Sequence, residues 1–446
     1  MSNLKKRAVQ GLVWTLVGYG GGQVLRLGGN LILTRLLFPE FFGLMALVNI
    51  FIMGLALFSD VGIGVSIIQN KRGEEPDFAN TAWTIQVIRG FGLWLVCLLM
   101  AAPMAQFYNE PQLQWLIPVV GLTTVIGGFN STAFYLMERN LAVRQLTLME
   151  LVTQIIQLVV MVIWAYFDAS VWSLAVGSLV STAIKTIWSF YLIPGYSNRF
   201  TWEKSAAREL FSIGRWIFVS TAFTFLAEQA DRLLLGKLFS LELLGVYGIA
   251  LMLSDVPRSI AISLGGKVIF PAVSMLIDLP RYELRSKLLR NRKPLLLGLT
   301  AMMMLLISFG DYLIYLLYDE RYEDAAWMLP ILALGIWPRL LCSTVEASLT
   351  ALGKVHYTAI GNFTRMAFTI VGILVGFAWL GNLGAVLAVA LNDLFYYAVV
   401  TYGLHREKIG CLTQDIQATG LLFAGLVFLA LGRVLFGLSL PLQGVA

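Results

Sequence analysis

Arg26, Arg89 and Arg365 each lie inside a long apolar run, and none has an acidic residue three or four positions away along the chain. An ionisable side chain within a membrane span is costly, so it is by default a candidate for function with a partner to be named. Arginine stays charged when buried and offers a fork of donors that matches phosphate oxygens. Arg26 sits near mid-span, while Arg89 and Arg365 lie roughly nine residues in from one end, or about 13 Å at helical rise. Drawn together from both halves of the chain, the three would make a cationic cavity. The competing reading is interhelical pairing with Asp60, Glu346 or Asp393. Arg339 is a further member of this cationic set, and Arg258 another, although Asp255 stands three positions before it. The acids Asp60, Glu228, Asp231 and Asp393 are candidates for ion coupling or gating, because protonating a buried carboxylate removes its desolvation cost.

These residues need helices to hold them at depth. With 58% hydrophobic and 13% charged residues and a mean hydropathy of +0.77, lipid must be the solvent for most of the chain. The pI near 9.1 does not point to nucleic acid, since the basic residues gather in short connections between apolar runs. A span takes about 20 residues. Spans are expected near 11–37, 41–68, 80–104, 113–137, 147–167, 170–193, 210–239, 241–270, 294–317, 325–352, 356–379 and 383–404, with a thirteenth near 418–438. Lysine and arginine fill alternate connections (Lys71 and Arg72; Arg139 and Arg144; Arg199, Lys204 and Arg208; Arg281 to Lys293; Lys354; Arg406 and Lys408), and the intervening ones hold Arg321 alone. By the positive-inside rule the first set is cytoplasmic, as is the N-terminus with Lys5, Lys6 and Arg7. The run after these residues is too long for a signal-peptide core and is expected to stay as the first span.

The chain is built twice. LILTRLLFPEFFGLMA, 31–46, lies over LLLGKLFSLELLGVYG, 233–248, without a gap, so that Arg35 falls on Lys237, Glu40 on Glu242 and Gly43 on Gly245. WLIP at 115–118 likewise matches WMLP at 327–330. The expected fold class is an all-α integral membrane protein with two six-helix lobes related by a pseudo-twofold along the membrane normal, plus one extra C-terminal helix. The lobes are placed at 1–195 and 210–404, with a linker at 196–209 and a C-terminal segment at 405–446. Within the linker, TWEKSAAREL reads as a short amphipathic helix at the interface. DLPRYELRSKLLRNRK reads likewise, with Leu284, Leu288 and Leu289 toward lipid and the cations toward anionic head groups.

Other charges have local explanations. Glu228 and Arg232 are spaced for a helical ion pair, as are Asp255 and Arg258; Lys185, Arg215 and Lys267 can snorkel. Gly18, Gly20, Gly21, Gly22, Gly28 and Gly29 crowd span one, which permits either close packing or bending beside Arg26. Cys97, Cys342 and Cys411 are scattered and read as packing residues, and His356 and His405 are too isolated for a metal or a triad. No cofactor is expected. Glycine–lysine pairs are followed by Leu or Val, so no phosphate loop for ATP hydrolysis is present. The exoplasmic connections offer no acid–base set for glycan transfer, so the chain is not expected to be an enzyme.

RLLFPEFFGLMALV followed by LFSDVGIGVSIIQ resembles the start of the Wzx-type polysaccharide flippases, in the branch similar to the colanic acid exporter. AEQADRLLLGKLFSLELLGVYGIALMLSDVP and KVIFPAVSML resemble that family's second half. The resemblance implies the multidrug/oligosaccharidyl-lipid/polysaccharide exporter fold, with alternating access and a cytoplasmic-to-outer route across a bacterial inner membrane. It implies as cargo an oligosaccharide on a polyprenyl diphosphate. Expected partners are that cargo, membrane lipids, a polysaccharide polymerase or co-polymerase, and H+ or Na+ as coupling ion; nucleic acid is not among them. Two alternatives stand beside it: an ion-coupled exporter of small cationic drugs, whose cavity should be acidic and aromatic, and a scaffold for glycan assembly that transports nothing.

Overall fold

The computed structural model describes residues 2–60, 62–140, 142–264 and 279–438, with side chains described for all of these except 2–13, 16, 213–220, 222–224 and 263–264. The side chains of Lys5, Lys6, Arg7 and Arg215, and all of 267–276 with Lys267, therefore lie outside the described residues. The chain divides into two compact units, Met1–Phe225 and Leu226–Ala446. Each is built from helices and the connections between them.

The first unit holds span one, Ser2–Leu36; span two, Pro39–Phe58 continued by Ile63–Gln69; span three, Pro76–Tyr108; span four, Leu113–Gly128 continued by Ala133–Arg139; span five, Val143–Phe167; span six, Trp172–Ser189; and the first part of span seven, Lys204–Leu238. Prolines at the first helical position start spans two and three, where a missing N–H costs nothing. The second unit continues span seven and adds span eight, Leu241–Ser254 with Val256–Leu264; span nine, Arg281–Leu317; span ten, Ala325–Ser343 with Glu346–Ala351; spans eleven and twelve within His356–Arg406; and span thirteen, Leu412–Leu435. Spans eleven and twelve form a hairpin that turns at Gly381, φ 60° and ψ −138°, a backbone conformation that favours glycine.

Among the described residues, seven helices are long and apolar enough to cross a membrane, or nine counting the two bent pairs of spans four and eight. The hairpin at Gly381 makes ten. Spans one, six and seven are helices of 35, 18 and 35 residues that carry more polar side chains.

The duplication is visible in where helices end. Span one stops at Leu36 and span two starts at Pro39; span seven stops at Leu238 and span eight starts at Leu241, both 202 residues later (238 − 36 and 241 − 39). Span four runs from Leu113 to Arg139 and span ten from Ala325 to Ala351, both 212 residues later (325 − 113 and 351 − 139). Spans two, four, eight and ten are each broken before their last turns, by 63° in span four and 45° in span eight.

Of the two readings of the span-one glycines the structure shows close packing, in one continuous helix. Gly18, Gly21 and Gly29 receive Thr147, Leu151 and Leu158 of span five, where a Cβ would lie 2.6, 3.3 and 2.8 Å from those side chains. Two local expectations are corrected. TWEKSAAREL is not a separate interfacial helix: from Lys204 it is the start of span seven. Its Ala206, Ala207 and Leu210 are buried with Ile63, Ile67, Phe78 and Ile85, which is why the first unit extends past 196–209. Residues 281–293 are likewise the start of span nine. Leu284 and Leu288 do not face lipid; they are buried with Cys342, Leu349, Tyr396 and Leu404, and Leu289 packs against that cluster. A helical stripe of leucines has the same spacing whether it meets lipid or protein.

Candidate functional site

A broken span leaves carbonyl oxygens without intrahelical donors, and in lipid these must be satisfied by protein. The sequence supplies the donors from neighbouring helices. At the end of the first piece of span two, Arg89 donates to the Ala56 carbonyl and, at 2.9 Å, to Ser59 Oγ. Asp60 turns the chain there by accepting from the Gly62 amide at 2.9 Å. At the break of span four, the Gln86 carboxamide donates to the Gly128 and Asn130 carbonyls, both at 3.0 Å, and Trp83 donates to Phe129 O at 3.2 Å. At the break of span ten, Arg292 donates to Leu341 O at 2.9 Å and Thr344 Oγ1 at 2.7 Å. Arg89 thus has a structural occupation that its spacing did not reveal. A cation at a helix C-terminus is also favourable for the helix dipole.

Arg292 has a second role. Its guanidinium pairs with Asp415 of span thirteen at 2.6 Å, both side chains almost fully buried. Nineteen residues further along span nine, Asp311 pairs with Arg433 of the same span thirteen, with Nη1 at 2.9 Å and both side chains again buried. The two pairs are about 28 Å apart along the helix, close to the thickness of the hydrocarbon core. They are reversed in sign, so span thirteen runs parallel to span nine in one register. Sequence reasoning missed the Arg292 pair because its basic run reads as an interfacial helix with the cations toward head groups.

The remaining candidates fall into two groups. In the first unit Arg26 is exposed on span one, and no partner for it is seen among the described residues. In the second unit the polar side chains of five spans meet. Arg365 of span eleven pairs with Asp393 of span twelve at 3.1 Å, with 17% and 6% of their side chains exposed, and reaches Asn392 Oδ1 at 3.4 Å. Asn392 in turn donates to Thr369 at 3.0 Å. Asp231 of span seven accepts from the buried Tyr247 hydroxyl at 2.6 Å, and Arg365 lies within electrostatic reach of Tyr247. Arg339 of span ten stacks on the Tyr396 ring, 3.6 Å from its centroid, and Tyr396 donates to Glu346 at 2.7 Å. Arg258 of span eight pairs with Asp255 as its spacing predicts.

The structure therefore brings Arg258, Arg339, Arg365, Asp231 and Asp393 into one neighbourhood, whereas Arg26, Arg89 and Asp60 belong to the first unit. For Arg365 the interhelical partner is Asp393. Glu228 does not form the expected pair with Arg232: it is exposed, and Arg232 donates instead to Gln229 Oε1 at 3.1 Å. Lys185 lies over the Phe134 ring, 5.4 Å from its centroid.

A family profile described as "Polysaccharide biosynthesis protein" matches residues 32–327, more than half of the chain. The chain belongs to this family. Among its relatives, the lipopolysaccharide biosynthesis protein WzxC of Escherichia coli (strain K12) is 23% identical over 419 residues, covering 89% of this chain and 82% of that protein. The succinoglycan biosynthesis transport protein ExoT of Rhizobium meliloti (strain 1021) is 22% identical over 354 residues, 78% of this chain and 70% of its own. Among solved structures, the lipid II flippase MurJ in an inward closed conformation superposes with a TM-score of 0.70 at 13% identity, covering 92% of each chain. An inward-facing multidrug resistance MATE transporter of the MOP superfamily gives 0.68 at 13%, covering 86% of this chain and 94% of that one. The fold of this family member is that of the MOP transporters: all-helical, many-spanning and membrane-embedded.

Proposed function

We propose that this family member is a flippase that carries polyprenyl-diphosphate-linked oligosaccharide from the cytoplasmic to the outer face of a bacterial inner membrane, for surface polysaccharide synthesis. The observation that carries the reading is a family match over residues 32–327 on a chain whose spans hold arginines that a drug exporter would not want. A diphosphate is a double anion, and lipid offers it neither charge nor hydrogen bonds. Arg26, Arg89, Arg365, Arg339 and Arg258 are the residues proposed to meet it, with Arg26 exposed and free of a seen partner. The prenyl tail stays in lipid while the glycan crosses by alternating access. The N-terminus is cytoplasmic by the loop charges, a polymerase or co-polymerase takes the exported unit, and Asp60, Glu228, Asp231 and Asp393 are the acids through which H+ or Na+ would act. The protein does no covalent chemistry in this reading.

The MATE-like fold keeps a second reading in view, ion-coupled export of small cations. The two separate on removal of the protein. For a flippase, the surface glycan disappears, its lipid-linked repeat unit accumulates on the cytoplasmic face and drug tolerance is unchanged. Normal surface glycan with raised drug sensitivity would transfer the case to the exporter. Purified protein in liposomes that fails to move a lipid-linked oligosaccharide would leave only a scaffold.

A further inference from the structure

Arg339 is 8% exposed, yet among the described residues its Nε and Nη1 have no hydrogen-bond partner. A buried guanidinium left with open donors is costly, so something is expected to fill them in another state of the protein. An anion within electrostatic reach that could do so is Asp393. It stands three residues before Tyr396 on span twelve, so the two share a helix face, and the Arg339 guanidinium carbon lies over the Tyr396 ring. Arg339 is within electrostatic reach of Asp393 as well as Glu346. Glu346 is engaged by the Tyr396 hydroxyl, and Asp255 by Arg258. Among the described residues Asp393 by contrast is held through Arg365 Nε alone, and its Oδ1 makes no well-aligned hydrogen bond there.

We propose that Asp393 is a carboxylate shared between two arginines and that it sets the access of a phosphate group to Arg365. In the state seen here it occupies Arg365 and leaves Arg339 open. When a phosphate oxygen of the cargo takes Arg365, Asp393 turns to Arg339 Nε and Nη1 and remains ionised. The groups within electrostatic reach of it are Arg365 from span eleven, Arg339 and Cys342 from span ten and Arg258 from span eight. The exchange step itself needs no proton, because one cation replaces another, so any coupling to H+ through Asp393 belongs to a different step of the cycle. Asp393 then acts as a resident stand-in for phosphate, and weak anions without a second anchoring group fail to displace it. This rests on the diphosphate reading above, and its test separates the two.

The test is binding of farnesyl diphosphate to the full-length protein in nanodiscs by calorimetry. Asp393→Asn removes the competitor and is expected to bind the probe roughly tenfold tighter than wild type, the scale of coupling between charged neighbours. Arg339→Met removes the second berth and is expected to weaken binding by a similar factor while residue 393 is Asp, and to change nothing when it is Asn. A loss on Arg339→Met that is equal in both backgrounds would mean that Arg339 touches phosphate itself, and the shared-carboxylate proposal would fall. Should the Asn variant not fold, the wild type still decides: binding measured in buffers of different ionisation heat should take up no proton, and uptake near one proton per probe overturns the proposal. Absence of probe binding to wild type and both variants would overturn the diphosphate reading and this proposal with it.

Discussion

The two units solve the same problem with different chemistry. In the first, the polar groups within the spans are met largely by neutral partners: Arg89 holds a carbonyl and a hydroxyl, and Gln86 and Trp83 hold the carbonyls of span four. In the second, guanidinium meets carboxylate at Arg292–Asp415, Arg365–Asp393, Arg433–Asp311 and Arg258–Asp255. The helix ends are repeated at fixed intervals, so duplication kept the breaks while the groups that satisfy them diverged. The consequence is electrostatic. A cation capped by a carbonyl and a hydroxyl, as Arg89 is, is not neutralised by a direct ion pair, although Asp60 lies within its electrostatic reach. A cation paired with a carboxylate is neutralised and can be released only if its partner finds another. On the proposed function, the first unit would attract an anion and the second would exchange one.

The comparison breaks most visibly at span thirteen. Arg433 and Asp311 are buried together, and Arg433 also donates to the Ser308 carbonyl. Removing one member leaves an uncompensated charge, at a cost of about 3–5 kcal/mol. Arg433→Met or Asp311→Leu alone is therefore expected to lower thermal stability strongly, whereas the two together should recover most of it. Stability in detergent and folded yield from the membrane are the measurements. A double variant as unstable as the worse single one would mean that the pair is not what holds span thirteen to span nine.

Arg89 should behave otherwise. Arg89→Ala leaves the Ala56 carbonyl without its donor and is expected to cost about 1–3 kcal/mol. Arg89→Lys, with one ammonium in place of the fork, should recover part. Asp60 is within electrostatic reach of Arg89 but makes no direct ion pair with it among the described residues, so Asp60→Asn in the Arg89→Ala background should not restore stability. If it does, Arg89 and Asp60 form a functional ion pair in solution and the contrast between the units weakens.

Much of the fold was legible because membrane spans obey simple rules. Run length placed the spans, and the match of Arg35, Glu40 and Gly43 with Lys237, Glu242 and Gly245 located the repeat at the helix ends where the structure has it. Depth and residue type also picked Arg365, Arg339, Arg258, Asp231 and Asp393, which do gather in one neighbourhood. What spacing along one helix cannot show is a partner on another. Arg89 looked unpaired because its acceptors are carbonyls freed by a break thirty residues away, and no side-chain pattern marks such a break in advance. Arg292 looked interfacial because its run is basic, yet the opposite charge at Asp415 lies across a different span. Leu284 and Leu288 have an amphipathic stripe in sequence, and only packing decides that its apolar side meets protein.

The smallest effect is expected at the segment that leads into span seven, where the first unit does use ion pairs, at the surface. The Arg199, Thr201 and Glu203 amides donate to Asn80, Thr84 and Thr81 of span three at 3.0, 3.1 and 3.0 Å, so alternate residues of an extended strap are tied along one helix. Its end is fastened by Arg72, which pairs with Glu75, Glu203 and Glu209. The Ser205 hydroxyl and then Arg72 hold the Glu203 carboxyl below its usual range. A carboxyl depressed in the folded state contributes stability above its unfolded value, about 4.3 for glutamate, and loses it as pH falls through the folded value. These groups are exposed, so the contribution is small and screened by salt. Hydrogen exchange of the Arg199, Thr201 and Glu203 amides, corrected for intrinsic rate, should show protection that is full at pH 7, falls below about pH 4 and weakens in high salt. Glu203→Gln should reach the weakened level already at pH 7. Amides of spans nine and thirteen should not respond over the same range, since buried pairs are screened far less. Protection at Thr201 that stays flat down to pH 3 in the wild type would show that the side-chain acceptors of span three alone hold the strap, with Arg72 and Glu203 as bystanders.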